Sequence, residues 1–389
     1  MGLERARSRH PMLLSRIVLK KGNKVVFEPD ETLAPVQLKE VDGKKWKVTL
    51  ANEMDILFTA NDCPLFRAIF SNFEGSSRFA IILHHSIADA AAGISLMEEV
   101  LSFALGKEKD ERPVKEPLPE MEKLFPGHVK GISKIFKVAK FGLSLAADKL
   151  GDAPLKLPFF EDISFEARYL DILPVSIDSS LSDGILTRSK DEGATVHGAL
   201  SAGLITALRG FYPSRHNASF SVISPVGLRN RLNIKLSPDE MGNYIGHLIT
   251  VKGPDEDFWS LAREVSREMR ERIDKGEAHS VCSSAPSPRF YHPTEKGVAK
   301  FNRLMFIHPH SQMISNVGKV DDIWQKEIAE VESVYSLISP HTRDGVSLCV
   351  STYRGKLTIN LVYSTLALPP EIPGKLITRF ERALNRACS

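Results

Sequence analysis

The chain has 389 residues, 42% of them apolar and 25% charged, with a formal net charge of +3. That length and balance suit a globular protein of two domains, each long enough to bury a full core. They give no support to nucleic-acid binding, since there is no strong basic excess, arginine-rich arm or zinc-finger spacing.

Residues 3–8 read as the end of a helix that stops at His10-Pro11. Short strands are expected at 24–27, 45–50, 65–70 and 78–84, where β-branched and aromatic residues gather. The last holds the run Phe79-Ala80-Ile81-Ile82-Leu83, as expected of a strand buried on both faces. A helical period follows over 87–105, with Ile87, Ala91, Ile94, Met97, Leu101 and Ala104 on one face. Residues 106–125 are charged and punctuated by Pro113, Pro117 and Pro119, the mark of a surface linker. An amphipathic helix is expected at 129–150. Its lysines leave open a peripheral membrane contact, against ordinary packing on the first lobe.

The prolines at 154 and 158 and the acidic pair Glu161-Asp162 put a boundary near 160. The expected domains are therefore 1–160 and 161–389. In the second, strands are expected at 168–177, 219–225 and 244–251, and helices at 195–209 (capped by Thr195), 258–273 and 371–386. Strands at 345–353 and 356–363 join at Arg354-Gly355 as a hairpin. The fold class is α+β, mixed sheets flanked by helices in two similar halves.

Cys63, Cys282, Cys349 and Cys388 are scattered, with no C-x-x-C pair. This argues against a zinc or redox site and for a reduced, cytoplasmic protein. No metal is expected. Residues 1–16 lack the apolar core of a signal peptide, and no run of about 18 apolar residues could span a bilayer.

The strongest chemical signal is His84-His85-Ser86-Ile87-Ala88-Asp89. Histidine takes a proton near neutral pH, and a histidine at the exposed end of a buried strand is aimed beyond the sheet edge, where a general base is useful. Spacing alone leaves an incidental histidine pair equally open. His308-Pro309-His310 has no carboxylate or cysteine beside it and reads as a loop; His197, inside a helix, reads as structural.

Residues 84–90 resemble the H-H-x-x-x-D-G signature of the condensation-domain and chloramphenicol acetyltransferase-like superfamily. Further segments follow in the family's order. Arg9-His10-Pro11-Met12-Leu13 resembles R-H-P-x-L, and Ser224-Pro225-Val226-Gly227-Leu228-Arg229 resembles a P-V-D-x-R strand. Gly242-Asn243-Tyr244-Ile245-Gly246 resembles G-N-x-x-G, Ser315-Asn316-Val317-Gly318 resembles S-N-x-G, and Ser351-Thr352-Tyr353 opens a segment like the final hairpin. The pattern looks most like stand-alone alcohol or polyketide-associated acyltransferases.

The resemblance implies two lobes with a tunnel between them and His85 midway along it. It implies direct transfer of an acyl group from a CoA or acyl-carrier-protein thioester to a small alcohol or amine, with His85 as general base. No cofactor beyond that acyl co-substrate is implied, and a monomer is expected. Consistently, there is no G-x-S-x-G nucleophile elbow. Asp89 takes the family's structural place, with Arg229 as its partner unless that arginine is merely solvated. Asn316 could approach the site, or could be a turn residue ahead of Gly318.

Three departures stand out. The motif glycine is Ala90, the P-V-D aspartate is Gly227, and the family's first strand and most of its first helix have no counterpart before Arg9. The last suggests a truncated start or a trimmed first lobe. With them goes a rival reading, a catalytically silent binding module with the same fold.

Overall fold

The computed structural model describes the chain apart from residues 1, 22–23, 31, 33, 59–63, 109–112, 130–153, 162, 164–167, 216–217, 254–256, 280–293, 295, 298–311, 325–327 and 341–344. The described residues form an α+β fold of two lobes. The expected helix at 129–150 and His308-Pro309-His310 lie almost wholly outside them.

The first lobe holds the helices α1 (Gly2–Arg9), α2 (Trp46–Asp55) and α3 (Ala90–Ala104). Strands β1 (Ser15–Lys20) and β2 (Lys24–Pro29) form an antiparallel pair. Strands β3 (Leu38–Glu40), β4 (Phe66–Phe73) and β5 (Ser76–Leu83) form a three-stranded sheet in that order. The second lobe is built on β6 (Leu170–Val175), β7 (Phe220–Gly227), β8 (Ile245–Lys252), β9 (Gln312–Lys319), β10 (Ser347–Tyr353) and β11 (Lys356–Ser364). These make one six-stranded sheet of order β6-β11-β10-β9-β7-β8. The halves are thus less alike than expected.

Helices α4 (Ser179–Asp191), α5 (Val196–Arg209), α6 (Phe258–Asp274) and α7 (Glu371–Cys388) complete the second lobe. Its main core joins Leu200, Leu204, Val265 and Phe380 from the helices to Val222, Leu248, Ile314, Val350 and Ile359 from the sheet. The N-termini of α4 and α5 are capped as helix starts demand: Asp178 accepts from Leu181 N–H and Thr195 from Gly198 N–H. Between β10 and β11, Arg354 and Gly355 both have positive φ, 48° and 76°, as a two-residue hairpin turn requires.

Residues 45–50 are not a strand. Gly43–Lys45 is a 3₁₀ turn and α2 follows. The β-branched residues of that run mislead because Val48 faces solvent, while Trp46, Leu50 and Ala51 share the helix's buried side with Leu170, Ile172 and Val362 of the second lobe. Tertiary packing here overrides local propensity. Phe125, Val129, Leu157 and Phe160, from before the expected boundary near 160, pack in the same core as Leu200, Val222 and Phe380.

Candidate active site

A cavity of about 1810 Å³ lies between the lobes. Its first-lobe wall includes Met54 from α2, Phe79 and Ile81 from β5, and Gly93, Met97 and Leu101 from α3. Its second-lobe wall includes Ile223 and Pro225 of β7, Asn243, then Ile245, His247 and Ile249 of β8, and Met313 and Ser315 of β9. The two-residue period of a strand sorts these side chains: Val222, Leu248 and Ile314 face the helices while their neighbours face the cavity. Strand β5 departs from expectation here. Its apolar run is only half-buried, because it borders this space instead of a sealed core.

His84 and His85 follow the end of β5, and both border the cavity. His85 is exposed to it. Its Nδ1 lies 2.8 Å from the carbonyl oxygen of Ala88. A carbonyl only accepts, so Nδ1 carries the hydrogen in the neutral ring and Nε2 is left as the basic nitrogen. Nε2 has no hydrogen-bond partner among the described residues. His84 is half-buried, with Nδ1 2.6 Å from Ser86 Oγ and its ring edge-on to Phe58. Burial, and secondarily the neighbouring His85, lowers its pKa.

Asp89 caps α3, accepting from Ala92 N–H at 3.0 Å. The same carboxylate meets Arg229, with Nη2–Oδ1 at 2.9 Å and Nε–Oδ2 at 3.0 Å, and also accepts from Tyr244 N–H at 3.2 Å. Both side chains are buried, 4% and 9% exposed. Arg229 donates further to the carbonyls of Ser237, Glu240 and Gly242. Asp89 N–H in turn donates to Gly242 O at 3.0 Å. The loop carrying His85 is therefore fastened to the second lobe through its own aspartate.

Asn316 is not brought to the cavity. Its Oδ1 accepts from Gly318 N–H at 2.9 Å, a local turn bond, and Ser315 borders the space instead. The motif's Ala90 is the first residue of α3 with no positive φ, so nothing at that position requires glycine. At Gly227 a Cβ would meet nothing within 4 Å.

A second buried ionic cluster was not anticipated. Arg9 donates to Glu99 and Asp239, both at 2.6 Å, and His10 Nε2 lies 3.0 Å from Glu99. Lys115 reaches Asp239 at 3.0 Å and Glu240 at 2.8 Å. Burial alone would raise the Asp239 carboxyl; the bonds from Ser237, Arg9 and Lys115 outweigh it and hold it far below the usual carboxylate range. The R-H-P segment thus ties α1 and α3 to the 237–242 loop that also holds Arg229. His247 was also missed. Burial, then His85, pushes its pKa down to about 4, so it is neutral at physiological pH. The signal was its place in alternation with Ile245 and Ile249.

Among the described residues no group of three or more His, Cys, Asp or Glu is placed to hold a metal ion, and no helix is long and apolar enough to cross a membrane.

Residues 172–362 match the family model described as the C-terminus of phthiocerol/phthiodiolone dimycocerosyl transferase. A search of curated proteins finds no match. Among solved structures, the first condensation domain of the CDA synthetase superposes with a TM-score of 0.73 at 12% identity, over 100% of this chain and 86% of that one. Polyketide synthase associated protein 5 from Mycobacterium tuberculosis gives 0.66 at 14%, over 100% and 90%. The epimerization domain from the third module of tyrocidine synthetase B gives 0.67 at 11%, over 100% and 88%. At such identities the likeness is one of fold. The family match spans residues 172–362, and over the whole chain the likeness is to the fold that these condensation-domain and polyketide-associated proteins share.

Proposed function

We propose that the protein transfers an acyl group from a thioester, of CoA or of a carrier protein, directly to an alcohol or amine bound in the inter-lobe cavity. The observation that carries this reading is His85: a cavity-facing imidazole whose Nδ1 is held by Ala88 O, leaving Nε2 as the base. As the acceptor's proton moves to Nε2, its oxygen or nitrogen bonds to the carbonyl carbon and the carbonyl π electrons move on to oxygen. The C=O bond then re-forms, the C–S bond breaks, and the thiolate leaves with the proton from His85.

Asp89 and Arg229 serve this chemistry by fixing the loop that presents the base. The cavity exceeds the roughly 300–1,000 Å³ of ordinary small-molecule sites, which suits two substrates meeting end to end. The apolar residues of β5 and α3 suit an acyl chain. The direct experiment mixes acyl-CoA of several chain lengths with a panel of alcohols and amines and follows thiol release together with ester or amide formation. Thiol release dependent on an acceptor supports transfer. No product from any pair, on CoA or on a carrier protein, would favour the silent binding module.

A further inference from the structure

We propose that His247 is a second catalytic imidazole of this cavity, donating a hydrogen bond to the carbonyl oxygen of the acyl group as that oxygen takes on negative charge. The inference rests on the transfer reaction above and assigns a task that His85 cannot perform. A base accepts the acceptor's proton; something else must receive the charge that develops on the carbonyl oxygen. In a water-poor site, a fixed donor aimed at that oxygen is often the largest single contribution to rate.

Other polar side chains border the cavity, Asn243 and Ser315 among them, but within β7 and β8 the cavity-facing positions hold one donor side chain. On β8 the cavity-facing side chains are Ile245, His247 and Ile249. The adjacent strand contributes Ile223 and Pro225, and Pro225 is the register partner of His247. His247 is thus a polar group set among aliphatic neighbours, on the wall that confronts His85. Its ring forms no hydrogen bond with any described residue, so both nitrogens are available to a ligand. A neutral imidazole always carries one N–H, and rotation or tautomer choice can present it. Burial and the nearby His85 keep the ring from taking a second proton at neutral pH. It can then stabilise an oxyanion without competing with His85 for the acceptor's proton.

Its backbone is fixed for the purpose. The next residue back, Gly246, faces the other way, and a Cβ there would come within 2.3 Å of the carbonyl oxygen of Ala278. The strand at this point packs against main chain with no room for a side chain. His247 is therefore presented from a rigid element, the arrangement that lets a donor be in place before charge appears.

The test uses His247→Leu, which removes the donor, and His247→Gln, which keeps an N–H without a titrating ring. Each is compared with the wild type on an acyl-CoA and alcohol pair that the wild type converts. His247→Leu should lower kcat about 10²–10³-fold, as loss of one oxyanion donor does, with little change in either KM. His247→Gln should recover part of the loss. A wild-type kcat in His247→Leu, or a change confined to KM, would overturn the assignment. A second arm needs no turnover: calorimetry with the monoanionic octyl ester of methylphosphonic acid, a tetrahedral mimic of the charged intermediate. The wild type should bind it at least about tenfold more tightly than His247→Leu, the worth of one hydrogen bond to a charged group. Equal binding, or none by the wild type, would overturn the inference. His85→Ala in the same assays keeps the two claims apart: loss of turnover there, with His247→Leu unchanged, refutes the oxyanion donor alone.

Discussion

Asp89 and Arg229 stand 140 positions apart in sequence, yet the carboxylate receives both Nε and Nη2 of the guanidinium, at 3.0 and 2.9 Å. The pair links the start of α3 in the first lobe to the end of β7 in the second. It also sets the loop between them, because Asp89 caps α3 three residues before Ala92 while its own N–H reaches Gly242 O.

Removing one member of such a pair leaves the other charged and buried. Asp89→Ala is expected to destabilise the protein by roughly 3–5 kcal/mol and to lower the yield of folded protein, with activity falling because His85 is displaced. Asp89→Asn should be milder, since its amide oxygen can still accept from Ala92 N–H. Urea unfolding of the three proteins checks this. Equal stability of Asp89→Ala and the wild type would contradict it.

The two departures from the family's motifs should prove harmless to the fold. Ala90→Gly adds backbone freedom at a helix start and should cost no more than about 1 kcal/mol, with activity retained. Gly227→Asp places a side chain in open space and should stay within about 0.5 kcal/mol of the wild type. Thermal unfolding and turnover of both variants decide the matter; a large loss in either would mean that these positions are more constrained than their surroundings indicate.

Stability should fall as pH falls from about 6.5, the ordinary histidine value, toward 4. Burial pushes both His197 and His247 down to about 4, and lowers His84 as well. In that window the unfolded chain takes up protons that the folded one refuses, so the slope of stability with pH is positive. His197, whose Nε2 lies 2.7 Å from Ser224 Oγ, is the cleanest probe because it faces away from the cavity wall. His197→Gln should flatten the slope, read from urea unfolding at several pH values. Parallel curves for variant and wild type would contradict the assignment. Asp239 acts in a lower window: its depressed carboxyl contributes stability that is lost as pH falls below the usual carboxylate range.

Much of this fold was legible in the sequence where local and tertiary demands agree. The turn at Arg354-Gly355, the Thr195 cap and the β5-to-α3 junction all appear where patterning puts them. Residues 45–50 were misread because Val48 and Thr49 favour a strand, while the side chains that decide, Trp46 and Leu50, pack against β6 far along the chain. Helix α4 was passed over; its capping Asp178 was the available signal. At the site, His85, Asp89 and Arg229 could be named because they sit in recognisable segments. Asn316 could not be judged, since whether a strand residue faces a cavity or its own turn depends on register. His247 was hidden for a similar reason: one polar residue in an apolar strand acquires meaning only when the opposite wall is known.

The reading as a whole turns on His85. The decisive measurement is the steady-state rate of acyl transfer by the wild type and by His85→Ala, with an acyl-CoA donor and an alcohol acceptor, alongside donor binding by calorimetry. The expected result is a fall in kcat of about 10²–10⁴-fold, the usual contribution of a general base, with the fold and donor affinity preserved. Near-wild-type turnover in His85→Ala would contradict the assignment of His85 as the base.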